Sequence, residues 1–465
     1  MADTLYDLVV IGGGPGGYTA AIRAAQLGMK TAIIERDRLG GVCLNWGCIP
    51  SKALLKNAEL IHAFKKAGEW GISYENLRFD FPKIIARSRG VADRISKGVE
   101  FLMKKNRIDH LAGFATLTGK GAIELRTEGA APRRLTARHI ILATGARART
   151  IPGVAIDRKR IITSTEAMTL PSQPASMIII GAGAIGMEFA YFYNAIGTKV
   201  TVVEMLPSVL PVEDRELTKL LESSFRKQGV EILTGTRVES LAATGSGVKV
   251  AVTAPDGKKD LTGDVALMAI GVQGNVENIG LEAAGVAVQK NHITVDKDYR
   301  TSVQGIYAIG DVIGPPWLAH VASAEGIHCV EAIAGMKPAP LDYSTIPGCT
   351  YCQPQIASVG LTEEKAKEQG IEVKIGRFPF RPLGKAMAIG ETEGLVKLIF
   401  DAKYGELLGA HIMGSEATEM IAELVMARRL EATGKEIFRT VHAHPTLSEA
   451  VMEAAAVAYG EAINI

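Results

Sequence analysis

Short blocks of β-branched apolar residues alternate with amphipathic stretches through most of the chain. From Leu8, "LVVIGGGPGGYTAAIRAAQLGMKTAIIER" reads as strand, glycine turn, helix, strand and acidic residue. The same order returns from Met177 in "MIIIGAGAIGMEFAYFYNAIGTKVTVVEM". Gly12, Gly14, Gly17, Gly28 and Glu35 correspond to Gly181, Gly183, Gly186, Gly197 and Glu204, each pair 169 positions apart. A period that long is not a solenoid, whose repeats run about 20–50 residues. It is one module used twice. Between the copies, residues 49 to about 106 predict helices, from "SKALLKNAELIHAFKKAG" and "FPKIIARSRGVADRISKGVEFLMKKN". Residues 108–141 predict short strands with Gly-rich turns. "ILATGARARTIPG" reads as a strand leaving the first module, with Pro152-Gly153 as a linker. Residues 230–270 alternate apolar and polar positions, with "PDG" at Pro255 as a hairpin turn. From about Tyr343 the pattern becomes strands followed by helices, without a third glycine fingerprint, and predicts a separate unit.

A lone G-x-G-x-x-G is weak evidence, because glycine turns are common in α/β sheets. Here both copies follow an apolar strand, open a helix, and have an acidic residue 18 positions after the last glycine. That context fits dinucleotide binding. The first glycine makes the turn, the second admits the pyrophosphate, and the third allows helix–strand packing. The helix N-terminus offers N–H groups to the phosphates, and the carboxylate accepts from ribose hydroxyls. Glu204 is followed by Met205, Leu206 and Pro207, none of them cationic. A 2′-phosphate would be repelled there, so NAD is expected rather than NADP.

Composition narrows the class. At 465 residues about three domains are expected. A net charge of +2 is too balanced for a nucleic-acid footprint, so no nucleic-acid partner is expected. No apolar run reaches the roughly 18 residues of a membrane span, so no membrane partner is expected either. The start "MADTLYDLVVIGGG" lacks a signal-peptide pattern, which predicts a cytoplasmic protein. Five cysteines are too few for a secreted disulfide scaffold.

Two of those five stand in "GGVCLNWGCIPSKALL", as Cys43 and Cys48. A redox centre, half of a metal site and two inert thiols are all open readings. Pro50 and the helical periodicity beyond it place Cys48 near a helix N-terminus. There the dipole, and Lys52 four residues on, favour thiolate. Zinc sites usually take four ligands, and this pair supplies two. Cys349 and Cys352, in "CTYC", form a second pair read as inert, and Cys329 as a small buried helix residue.

The cysteine segment resembles the redox-active disulfide motif of the flavoprotein disulfide reductases, class I of the pyridine nucleotide-disulfide oxidoreductases. Other motifs match in order: both glycine turns, "ATG" at Ala143, "TSVQGIYAIGDV" from Thr301 and "HPTLSE" from His444. The glutathione-reducing branch typically has valine, valine and lysine where this chain has Leu44, Ile49 and Ser51. The resemblance therefore favours the branch that oxidises dihydrolipoamide with NAD+. It implies an α/β fold with two Rossmann-like domains, for FAD and NAD, plus an α+β C-terminal dimerisation domain. The expected division is 1–149 (FAD), 150–274 (NAD), 275–343 (central, completing the FAD site) and 344–465 (dimerisation).

The resemblance also implies roles. Gly12, Gly14, Gly17 and Glu35 hold the FAD adenosine and pyrophosphate, with Ala115, Thr144 and Gly145 along the cofactor. Asp311 meets the ribityl–phosphate region, and backbone at Ala319 the flavin pyrimidine edge. Lys52 stands near flavin N5, paired with Glu188. Gly181, Gly183, Gly186, Glu188, Glu204, Val238 and Gly271 form the NAD set. Cys43 and Cys48 form the disulfide, Cys43 facing the dithiol and Cys48 the flavin. His444, from the partner chain of a homodimer, is the acid–base, oriented by Glu449. Glu449 has a rival reading, because "TLSE" from Thr446 is also a capping box. His442 is a weaker candidate. No metal is implied. The lipoyl group comes on a partner, a lipoyl-bearing acyltransferase or lipoyl carrier protein of a multienzyme complex. Rival functions are a glutathione-, mycothione- or mercuric-type reductase, or a flavin/NAD sensor without turnover. Two departures from the family stand out: "GVQGN" at Gly271, and Val42 and Trp46 around the cysteines.

Overall fold

In the computed structural model, which describes residues 5–464, strand Leu5–Ile11 runs through the middle of a seven-stranded sheet. It pairs in parallel with Thr31–Glu35 on one side and Arg133–Leu142 on the other. Asp109–Ala112 extends the sheet beyond Thr31–Glu35. Arg133–Leu142 is long enough for two further pairings. One end meets Ala122–Arg126 antiparallel, and the other meets Ile306–Ala308 in parallel. Residues 271–341 thereby join 1–53 and 81–149 in one unit. Successive side chains of the central strand take opposite faces. Leu8 and Val10 pack against Ala20, Ala24, Met103 and Val330, while Val9 and Ile11 pack with Leu117, Leu135 and Ile306. Helices Pro15–Gln26 and Ala319–Ile333 approach until their backbones nearly touch. A Cβ on Gly16 would lie 2.9 Å from the Ala322 carbonyl oxygen, and one on Gly326 would lie 2.7 Å from that of Gly16.

The second unit comprises residues 54–80, 150–270 and 342–465. Its parallel sheet runs Glu231–Leu233, Lys199–Val203, Ser176–Ile180, Val265–Met268, Ile161–Ile162. An antiparallel meander, Arg237–Ala243, Val248–Ala254 and Gly257–Gly263, turns at Pro255 as the "PDG" signal predicts. The C-terminal part is a five-stranded antiparallel sheet with helices Ala417–Arg429 and Glu449–Ala458 packed on it. Gly376 lets the second helix lie on the sheet, since a Cβ there would fall 1.7 Å from the Ala454 carbonyl oxygen.

A buried lysine ties this sheet to the parallel module. Lys397 is 1% exposed on strand Leu395–Asp401. Its Nζ reaches Asp214 at 2.9 Å, Glu216 at 3.0 Å and Glu363 at 2.7 Å. Asp214 also caps helix Arg215–Lys227 by accepting the Glu216 N–H. Asp214→Asn keeps the cap but leaves Lys397 short of a charge partner. It should cost about 1–2 kcal/mol, because Lys397 loses one of three carboxylate partners and keeps Glu216 and Glu363. Burial pushes the Asp214 carboxyl up, but the Lys397 hydrogen bond and neighbouring charges hold it below the usual value. Its contribution is present above the unfolded pKa of roughly 4 and is lost as acid protonates the folded carboxyl. A thermal melt at neutral pH with no fall in Tm for Asp214→Asn would count against this assignment.

Candidate active site

The glycines of both turns divide their work in the same way. Gly12 has φ +110°, and a Cβ there would meet the Ala143 carbonyl oxygen at 2.1 Å. A Cβ on Gly17 would lie 1.9 Å from the Gly12 carbonyl oxygen. In the second module, Gly181 and Gly186 would clash likewise, at 2.4 Å and 2.0 Å. Nothing lies within 4 Å of where a Cβ on Gly14 or Gly183 would sit. The first and third glycines are therefore required by the protein's own backbone. The middle one leaves open approach to backbone at a helix start. Helices Pro15–Gln26 and Ala184–Ala195 begin there without a side-chain cap, which leaves their first N–H groups for an anion. Glu35 and Glu204 each brace their own turn. Glu35 accepts the Gly13 and Asp37 N–H groups at 2.7 and 2.9 Å, and Glu204 those of Ala182 and Leu206 at 2.7 and 2.8 Å.

A cavity of about 430 Å³ opens beside the first turn. Gly12, Glu35, Ala115 and Thr144 line it, all expected from the sequence, together with Arg36, Arg147, Asn275 and Glu277, which were not. Thr144 and Asn275 hold each other by two hydrogen bonds, at 2.8 and 2.9 Å, and Gly145 accepts the Asn275 N–H. Asp311 lies in the short turn Gly310–Ile313, where burial pushes its carboxyl up to about 6. Ala319 opens helix Ala319–Ile333, again without a side-chain cap. Gly271, at φ +101°, accepts the Arg149 N–H at 2.9 Å. In the second unit, buried Glu188 accepts the Tyr351 N–H at 3.1 Å, and Val238 stands opposite Val252 beside a break in register.

Cys43 lies on a six-residue helix, Gly41–Trp46, that the sequence reading did not foresee. Cys48 is the first residue of helix Cys48–Lys65, and Lys52 lies one turn along it. Gly40 and Gly41 let this segment seat on the first glycine turn. Gly40 N–H donates to the Gly13 carbonyl at 2.8 Å, and a Cβ on Gly41 would fall 2.7 Å from the Gly14 Cα. The hydrogen bond between the two thiols, then burial, push the Cys43 pKa up. The two cysteines are therefore unequal: the Cys43 thiol is pushed up, while Cys48 stands at the positive end of a helix dipole.

The long helix Phe81–Lys105 holds the redox segment from behind, with three residues the sequence reading missed. Ser88 and Ser96 donate to the Pro50 and Leu39 carbonyls at 2.9 and 2.8 Å. Arg89 donates to the Asn45 carbonyl and lies over the Trp46 ring, 4.7 Å from its centroid. Trp46 Nε1–H donates to Asp37 at 3.0 Å. Trp46 is thus gripped from both sides, in cation–π contact with Arg89.

His444 is exposed, and its Nδ1 meets Glu449 at 2.8 Å. The other Glu449 oxygen accepts the Thr446 N–H at 2.9 Å. One Glu449 oxygen thus faces His444 and the other a backbone N–H. The capping box is only half formed, because Thr446 Oγ1 donates to the Ala443 carbonyl and the helix begins at Glu449 itself. Burial opposes ionisation of Glu449, but the Thr446 N–H and His444 hold its pKa below the usual value. With Nδ1–H given to this carboxylate, Nε2 is the ring nitrogen able to accept a proton. His442 points elsewhere, to Glu423 at 2.7 Å. Cys352 is buried and donates to the Pro354 carbonyl, and burial pushes the Cys329 thiol far up.

Residues 6–326 match the family model described as pyridine nucleotide-disulphide oxidoreductase, and residues 346–455 match that family's dimerisation domain. The chain belongs to this family. Among relatives of the disulphide oxidoreductase, the dihydrolipoyl dehydrogenase of Rhizobium etli is 48% identical over 481 residues, covering 100% of both chains. That of Zymomonas mobilis is 49% identical, again covering 100% of both, and that of Bacillus subtilis is 43% identical, covering 99% of both. Among solved structures, LpdA from Mycobacterium tuberculosis matches with a TM-score of 0.89 at 30% identity, over 96% of this chain and 98% of that one. The HOCl-induced flavoprotein disulfide reductase RclA from Escherichia coli matches at 0.87 with 27% identity, over 97% and 100%. FAD and NAD are the cofactors of the disulphide oxidoreductases, and the two open glycine cradles fit two dinucleotides. Among the described residues, no helix is long and apolar enough to cross a membrane.

Proposed function

We propose that this chain is a dihydrolipoyl dehydrogenase, oxidising protein-bound dihydrolipoamide to lipoamide with NAD+. The observation that carries this reading is the asymmetric placing of the cysteine pair, with Cys43 on the short helix Gly41–Trp46 and Cys48 at the start of helix Cys48–Lys65. The His444–Glu449 dyad supplies the base that a dithiol substrate requires. The names of the full-length relatives support the substrate.

In the oxidised state Cys43 and Cys48 form a disulfide. His444 Nε2 takes a proton from one substrate thiol, and the resulting thiolate attacks the Cys43 sulfur. The Cys43–Cys48 bond breaks and Cys48 leaves as thiolate. The second substrate sulfur then attacks the mixed disulfide and closes the lipoamide ring. Of the two protons released, one ends on Cys43 and the other on His444. FAD, when bound, supplies the two-electron relay from the Cys48 thiolate to NAD+. Gly12, Gly14, Gly17, Glu35, Ala115, Thr144, Gly145, Asp311 and Ala319 would hold it, with Lys52 beside its reactive ring. Gly181, Gly183, Gly186, Glu188, Glu204, Val238 and Gly271 would hold NAD.

This reading divides the chain as 1–149 for FAD, 150–274 for NAD, 275–343 completing the FAD site, and 344–465 for dimerisation. It has a homodimer in which each subunit lends His444 to its partner. Lipoyl groups arrive on an acyltransferase or carrier protein of a multienzyme complex. The small cysteine count suits a reducing compartment, the cytoplasm. Buried Glu204, with no cation in the three residues after it, favours NAD. Purified protein should turn over dihydrolipoamide with NAD+ at least about a hundred times faster than glutathione disulfide with NADPH. Comparable rates in the two assays would overturn the assignment.

A further inference from the structure

The departure "GVQGN" acquires a meaning beside the cavity. Strand Val272–Gly274 pairs antiparallel with Ala146–Ala148, and Gln273 stands opposite Arg147. The Arg147 guanidinium meets Glu277 end-on, Nη1 at 2.8 Å and Nη2 at 2.6 Å. Nη1 also donates to the Asn275 side chain at 3.1 Å and the Gly274 carbonyl at 3.2 Å. With the Gln273 amide oxygen turned toward the guanidinium, Nη2 reaches it at 2.7 Å and Nε at 3.3 Å. One arginine thus ties strand Ala146–Ala148 to the loop that follows Gly274. Arg147, Asn275 and Glu277 all belong to the cavity wall, which also contains Gly12, Glu35 and Ala115.

A half-exposed ion pair is ordinarily worth little. This one is bidentate and embedded in a network, the geometry in which such pairs are strong. The Arg147 hydrogen bond holds the Glu277 carboxyl below its usual pKa. The loop is also pinned independently, by the two Thr144–Asn275 hydrogen bonds. Arg147 and Glu277 thus add a second tie to this loop, one that lies in the cavity wall.

We propose that the Arg147–Glu277 clasp is a latch on the adenosine end of the flavin site, setting how fast FAD leaves. Arg147 and Glu277 are then positioning residues, acting through the loop they close. The proposal rests on the reading of the 430 Å³ cavity as the place of the FAD adenosine.

The test is FAD release from the holoenzyme, read as the rise of free-flavin fluorescence after dilution. Arg147→Met and Glu277→Gln should each speed release roughly ten-fold, the worth of one charge-assisted contact. Arg147→Lys should do nearly the same, since an ammonium cannot bond end-on to a carboxylate. The double variant should be no faster than either single one, because both break one clasp. A merely structural role would instead lower the Tm of flavin-free and flavin-loaded protein alike. Ala115→Val and the larger Ala115→Leu intrude on the same cavity and report on the underlying reading. If neither alters release, the cavity is not the adenosine site and the proposal falls with that reading. If they speed release while Arg147→Met and Glu277→Gln do not, the latch alone is overturned.

Discussion

Cys48→Ser loses at least roughly a thousand-fold in dihydrolipoamide turnover, as expected when the central group of a catalytic unit is removed. It also loses the long-wavelength thiolate–flavin absorbance that appears on reduction. Cys43→Ser loses comparable turnover but keeps that absorbance. The difference follows from where the two sulfurs sit. Cys43 is pushed up by the Cys48 hydrogen bond and by burial, which favours it as the protonated member under the proposed mechanism. Cys48 begins helix Cys48–Lys65, where the helix dipole stabilises negative charge. Two spectra, one of each variant with its flavin still oxidised, check the assignment. Persistence of the band in Cys48→Ser would mean that the roles are reversed.

His444→Ala is expected to lower kcat/KM for dihydrolipoamide by about 10²–10⁴, the span of general acid–base catalysis by a positioned side chain. Reduction of the protein by NADH should survive, because no proton need leave a dithiol substrate in that half-reaction. Glu449→Gln divides the two jobs of that carboxylate. Glutamine can still accept the Thr446 N–H, so the Tm should hold. Its other terminal atom becomes an N–H donor facing His444 Nδ1, which disfavours the tautomer with Nε2 as base. A loss of roughly ten-fold or more in kcat/KM at unchanged Tm is the expected result. Near-normal turnover in Glu449→Gln would reduce Glu449 to a helix-start residue.

Some of this site was readable because its chemistry is local. A glycine that must sit at φ +110° beside a carbonyl leaves its mark on a few consecutive residues, and so does a cysteine placed one helical turn before a lysine. The repeat at 169 positions made the reading firmer, since two copies carry the same constraint. The parts that were missed act over long separations. Arg89 reaches Asn45 across 44 positions, and Arg147 reaches Glu277 across 130. In sequence, Ser88, Arg89 and Ser96 are only polar interruptions of an amphipathic helix, and no period announces a carbonyl waiting opposite. Trp46 was ambiguous for the same reason, because its two holders lie on other elements.

The sequence by itself determined the two glycine-turn modules, and it marked the cysteine pair and the histidine–glutamate motif as candidates, because each is written in nearby residues with fixed spacing. Only the tertiary structure decided what those parts are attached to. It seats the redox segment on the first glycine turn through Gly40 and Gly41, and it turns Glu35 and Glu204 back onto their own turns. It brings residues 271–341 beside the first module through the pairing of Ile306–Ala308 with Arg133–Leu142. The physical reason is that hydrogen bonds and close backbone contacts between distant segments depend on packing, and local patterning does not encode which distant segment arrives.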